Sequence, residues 1–64
     1  MIGKNIKKLR QQKKLTQDKL ARLADIPYTT LNKIEMGLVK RPRIDTVDRI
    51  AKALNTKIDK LVNG

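Results

Sequence analysis

The stretch TQDKLARLADIPYTTLNKIEMG, residues 16–37, decides the fold. Its apolar residues recur twice at helical spacing, first at Leu20, Leu23 and Ala24 and then at Leu31 and Ile34. Thr16 precedes the first run, where its hydroxyl is well placed to cap a helix over 17–23. The capping box is incomplete, because Lys19 stands where Glu or Gln would reach back. Asp18 in the first turn still complements the helix dipole. Pro27 disfavours a helical conformation at Ile26 and suits the first turn of a new helix, so a break and a restart are expected. The second helix then runs from 27 or 28 to 36 and stops at Gly37, a natural left-handed terminator.

The same periodicity continues on both sides of this stretch. Upstream, Ile2, Ile6 and Leu9 mark one face of a helix over 2–13, with Lys4, Lys7, Lys8, Lys13 and Lys14 elsewhere. That basic cluster reads first as a solvated face that steers an anion from a distance. Downstream, residues 38–43 form a connection with Pro42 and the cluster Lys40, Arg41 and Arg43. Val47, Ile50, Ala51 and Leu54 predict a fourth helix over 45–54, stopped at Asn55, which tolerates the left-handed region. Ile58, Leu61 and Val62 suit one or two last turns. No strand-like alternation, repeat or low-complexity tract interrupts this pattern. The expectation is an all-α bundle of five short helices with Leu20, Ala21, Leu31, Ile34 and Ile50 in its core. Asp45 and Asp48 lie near the start of the fourth helix, where capping and dipole complementation account for them better than a metal does.

Composition bounds the function. Sixty-four residues hold one small domain, 1–64, with a marginal core that must be aliphatic, because Tyr28 is the only aromatic residue. The chain has no cysteine, histidine or serine. A disulfide framework, a zinc site of the usual kind, a histidine general base and a serine nucleophile are thereby excluded, and an enzyme is not expected. Sixteen Lys and Arg against six Asp and Glu give a net charge of +10, which points to an anionic partner. No stretch approaches the roughly 18 apolar residues of a membrane span, and the N-terminus lacks a signal peptide's apolar run, so a cytoplasmic location is expected. A membrane-surface helix would need bulky apolar anchors, and an RNA module usually offers several aromatic platforms. Double-stranded DNA is the better match to one tyrosine and many cations.

Two helices of about two turns joined by a tight break form the unit that lays its second helix in the DNA major groove. The chain resembles the Cro and repressor type of helix-turn-helix domain, the XRE family, and most of all the DNA-binding domains of lambdoid phage repressors. The resemblance spans nearly the whole chain: the IxKLR of helix 1 at 6–10, LTQDKLA at 15–21, IPYTTLNKIEMG at 26–37, and the KRPR-to-IDKLVNG stretch over 40–64. Several positions depart from the family pattern. Asp25 stands at the usual turn glycine, Pro27 at the usual Ser or Thr cap, Asn55 and Lys57 at a common glycine and serine, and Met36 where a polar or basic residue is frequent.

At about 100° per residue, Thr29, Asn32, Lys33 and Met36 project opposite Leu31 and Ile34, with Tyr28 at the exposed edge. The resemblance makes Tyr28, Thr29 and Lys33 the principal base-contacting residues, with Thr30 and Asn32 beside them. Their chemistry agrees: Lys33 can donate to guanine O6 and N7, Asn32 can bond a base edge or a phosphate, and the Thr29 methyl can pack on thymine. Tyr28 can stack on a sugar or a thymine methyl, or donate to a phosphate. The resemblance further implies a phosphate contact at Gln17, and a second clamp from the backbone amides of Lys40 and Arg41 with the Arg43 side chain, which also suits a narrow minor groove. It implies a partly buried ion pair between Arg10 and Glu35.

These expectations amount to a sequence-specific transcriptional regulator, a repressor bound as a homodimer to a pseudo-palindromic operator, with no cofactor, metal or small-molecule ligand. The resemblance implies a dimer contact from the C-terminal region over 54–62, between Leu54 and Val62. The resemblance implies a bacterial or phage-encoded, nucleoid-associated protein. Two other readings use the same domain: an antitoxin or restriction-modification controller that regulates itself, and a protein-binding module that has lost DNA.

Overall fold

The computed structural model of the chain describes residues 2–63. These form α1 (Ile2–Gln12), α2 (Gln17–Ala24), α3 (Tyr28–Glu35), α4 (Ile44–Ala53) and α5 (Ile58–Val62), with no strand among the described residues. α1 packs against α3 and α5, α2 against α3 and α4, and α4 against α5. Every helix or its C-terminal cap sends an aliphatic side chain into one shared core: Ile6, Leu20, Leu31, Ile34, Ile50, Leu54 and Leu61 are fully buried. Each such burial stabilises the fold by about 1.5–3 kcal/mol relative to exposure. Ala21, Ala24 and Ala51 on the buried faces of α2 and α4 keep those two helices close.

Four of the helices end in one way. The first or second residue past the helix turns left-handed, at Lys14 (φ 58°), Asp25 (φ 57°), Gly37 (φ 82°) and Asn55 (φ 55°). Its N–H returns to a carbonyl three residues back, and the next N–H reaches five residues back. The pairs are Lys14 to Gln11 and Leu15 to Arg10, Asp25 to Arg22 and Ile26 to Ala21, Gly37 to Ile34 and Leu38 to Lys33, and Asn55 to Lys52 and Thr56 to Ala51. This is the Schellman arrangement, which satisfies the last carbonyls of each helix. Gly37, Asp25 and Asn55 were legible as such positions. Lys14 was not, and a lysine there costs on the order of 1–2 kcal/mol relative to a residue free of Cβ strain.

The helix bounds follow the sequence reading with small shifts. α1 ends one residue early, since Lys13 already belongs to its closing turn. α4 begins at Ile44, which makes Arg43 its N-cap without a side-chain cap bond. Asp45 therefore does not cap the helix; it sits in the first turn, where it complements the dipole and lies 3.4 Å from Arg43 Nε. Two contacts between helices left no trace in the local pattern. A Cβ added at Gly3 would collide with the backbone carbonyl of Ile34, so glycine lets α1 cross the end of α3 at close range. Asn5 Nδ2 donates to the Leu61 carbonyl at 2.8 Å and ties α5 to α1.

Candidate nucleic-acid interface

α2 begins as its sequence indicates: Thr16 is extended, and its hydroxyl accepts the Lys19 N–H at 3.1 Å. The turn to α3 pivots on Asp25. Arg49 of α4 donates to the Asp25 carbonyl at 3.2 Å, so the turn is tied to the helix behind it. Pro27 is the N-cap of α3 and offers no side-chain cap; its carbonyl accepts from Thr30 and Leu31. The N–H groups of Tyr28 and Thr29 donate to no acceptor among the described residues.

Leu31 and Ile34 anchor α3 in the core, and Thr29, Lys33 and Met36 stand exposed on the other side. Tyr28 is about half exposed at the N-terminal edge, and Thr30 and Asn32 are half-buried flanks. Lys33 has no carboxylate within ion-pair distance among the described residues, so its ammonium is free for an external acceptor.

Beneath this helix lies a connected polar cluster. Arg10 Nε and Nη2 donate to the two carboxylate oxygens of Glu35 at 2.9 and 3.0 Å. Arg10 Nη1 donates to the Leu15 carbonyl at 2.7 Å, and Gln17 Nε2 donates to Glu35 Oε1 at 3.0 Å. The Glu35 side chain is 2% exposed, and every buried side-chain polar atom among the described residues has a partner. One guanidinium thus fixes the end of α3 and the turn before α2 to each other. The ion pair was expected; its links to Leu15 and Gln17 were not. Gln17 spends one amide hydrogen on Glu35 and keeps a second hydrogen for an outside acceptor.

Lys40, Arg41 and Arg43 lie exposed on the α3–α4 connection. The N–H groups of Lys40 and Arg41 donate to no acceptor among the described residues. Lys40 shares a groove with Ile2, Met36 and Gly37, which brings the connection beside the C-terminal end of α3. Leu54 and Leu61 of the C-terminal region are fully buried in the chain's own core, which removes them as dimer contacts. The apolar surface this region presents is Val62, in a shallow groove with Ile2, Pro42 and Ile44.

A family model described as Helix-turn-helix matches residues 6–61. The chain belongs to the helix-turn-helix family. Two uncharacterized HTH-type transcriptional regulators, from Rickettsia prowazekii and Rickettsia conorii, are each 37% identical over 81% of this chain. The chain spans 60% and 50% of their respective lengths. Among solved helix-turn-helix structures, the N-terminal DNA-binding domain of SinR from Bacillus subtilis is 28% identical. It superposes with a TM-score of 0.96 over 100% of this chain and 93% of its own. SinR in complex with DNA gives 0.93 at 29% identity, over 97% of this chain and 98% of that one. The restriction-modification controller C.AhdI from Aeromonas hydrophila gives 0.89 at 25% identity, over 94% and 89%.

Proposed function

We propose that this chain is a single sequence-specific DNA-binding domain of a transcriptional regulator, with α3 as its reading helix. The observation that carries this reading is the two-sidedness of α3. Leu31, Ile34 and the Glu35 side chain are buried and hold it in a fixed orientation, while Tyr28, Thr29 and Lys33 are exposed with no side-chain hydrogen bond or ion pair among the described residues. The likeness to SinR in its DNA complex supports a duplex as the ligand. Tyr28, Thr29 and Lys33 read base edges, with Thr30 and Asn32 beside them. Gln17, the amides of Lys40 and Arg41, and the Arg43 side chain hold the phosphate backbone. Arg10 and Glu35 position the reading helix and touch no DNA. Recognition by this geometry needs no catalytic step and no cofactor.

A regulator of this kind acts as a repressor by occupying a pseudo-palindromic operator as a dimer, with half-sites one helical turn apart and reading helices about 34 Å from each other. The groove of Ile2, Pro42, Ile44 and Val62 offers apolar surface for the contact between copies. The likeness to C.AhdI favours a second reading, a restriction-modification controller that uses the same face. Titration of duplex DNA at two salt concentrations tests the common core of both. The chain should bind duplex with an affinity that falls steeply as salt rises. Absence of duplex binding at low salt would leave the protein-binding reading in its place.

A further inference from the structure

We propose that Lys14 is a phosphate-contacting residue that widens the DNA footprint beyond Gln17, an inference that rests on duplex binding through α3. Lys14 occupies the left-handed position that closes α1, with φ at 58°. Glycine would take that conformation without Cβ strain, and the hydrogen bond made there, from the Lys14 N–H to the Gln11 carbonyl, uses only backbone. Asp25, at the equivalent position after α2, at least uses its side chain, whose carboxylate lies 3.8 Å from Arg49. The Lys14 side chain is exposed and has no carboxylate within ion-pair distance among the described residues. No side-chain hydrogen bond or ion pair among the described residues offsets the cost of that conformation. An observed outlier of this kind points to a role outside folding.

The position of the turn indicates which role. The adjoining Leu15 carbonyl is held by Arg10, whose other two donors grip Glu35 at the end of α3. Thr16 follows as the cap of α2, and Gln17 bonds Glu35 in turn. Lys14 is thus carried on a turn fastened to the reading helix, two residues before the Thr16 cap of α2, at whose N-terminus a phosphate is proposed to lie. A lysine there adds a mobile point charge to a rigid backbone contact.

Fluorescence titration of a duplex chosen by selection, between about 50 and 200 mM salt, separates this role from a structural one. Lys14→Gly should raise the melting temperature and yet bind more weakly, because it removes strain and charge together. Its slope of log affinity against log salt should be shallower by about 0.9, a difference of roughly three- to fourfold in affinity loss across that range. Lys14→Arg should keep the wild-type slope. Lys8 lies exposed on the side of α1 next to α5, near Asn5, Gln12 and Lys60, and Lys8→Ala should change the slope little. An unchanged slope in Lys14→Gly overturns the contact, and so does an equal fall in Lys8→Ala, which would mark a distant field effect. Failure of the wild-type chain to bind any duplex would instead remove the reading beneath the proposal, and the proposal with it.

Discussion

Glu35 accepts hydrogen bonds from Arg10 Nε, Arg10 Nη2 and Gln17 Nε2 while its side chain is almost fully buried. A buried pair of this kind adds little net stability compared with an apolar pair, yet removing one partner leaves a charge without compensation. Glu35→Gln should therefore lower the unfolding free energy by on the order of 3 kcal/mol, a large share of the stability of so short a chain. Denaturant unfolding would register this as a lower midpoint; a midpoint equal to that of wild type would mean that Arg10 finds another partner. Lys33 poses the opposite case, exposed and without a carboxylate in reach. Lys33→Ala should leave folding intact and relax preference at one base position by about 1–3 kcal/mol. Competition among duplexes that differ at single base pairs would reveal the affected position, and a specificity profile identical to wild type would exclude Lys33 from the reading face.

At the scale of the elements, the angle of the reading helix is set by its neighbours. Gly3 permits α1 to cross the end of α3, where a methyl group would meet the Ile34 carbonyl. Gly3→Ala must push the helices apart, and a destabilisation of about 1–3 kcal/mol is expected from such overpacking. Thermal melting would detect it as a lower Tm, while an unchanged Tm would mean that α1 shifts freely. The α2–turn–α3 unit was legible because its punctuation is chemical and local: Thr16 caps, Pro27 breaks and restarts, and Gly37 terminates. Gly3 and Asn5 act across the fold on partners remote in sequence, so no local period announces them. Lys14 escaped for another reason, since lysine has no preference for the left-handed region and its backbone alone makes the turn. The start of α4 shifted because Arg43 gives no capping signal, and Asp45 behind it resembles one. For the candidate site, helical periodicity separated the buried from the exposed face of α3, whereas the Gln17 link to Glu35 needed the folded arrangement.

For the whole molecule, the net charge of +10 acquires a layout. Asp18, Asp25, Glu35, Asp45 and Asp48 each lie within ion-pair distance of an arginine or lysine, and Asp59 accepts from Asn63. The acidic groups are thus engaged within the chain, and Lys33, Lys40 and Arg41 face outward without such partners among the described residues. Exposed pairs such as Arg43 with Asp45 are weak and readily exchanged for a phosphate. Arg43→Ala should weaken binding to all sequences about equally and lower the salt slope by about one; an unaltered slope in a salt titration would remove Arg43 from the clamp. In the proposed function, α3 reads duplex sequence. Selection of bound sequences from a random duplex library, run in parallel with wild type and Lys33→Ala, tests it most directly. An enriched motif with two related half-sites about 10 base pairs apart is expected, with loss of preference at one position per half-site in the variant. No enriched motif, or the same motif from both proteins, would contradict it.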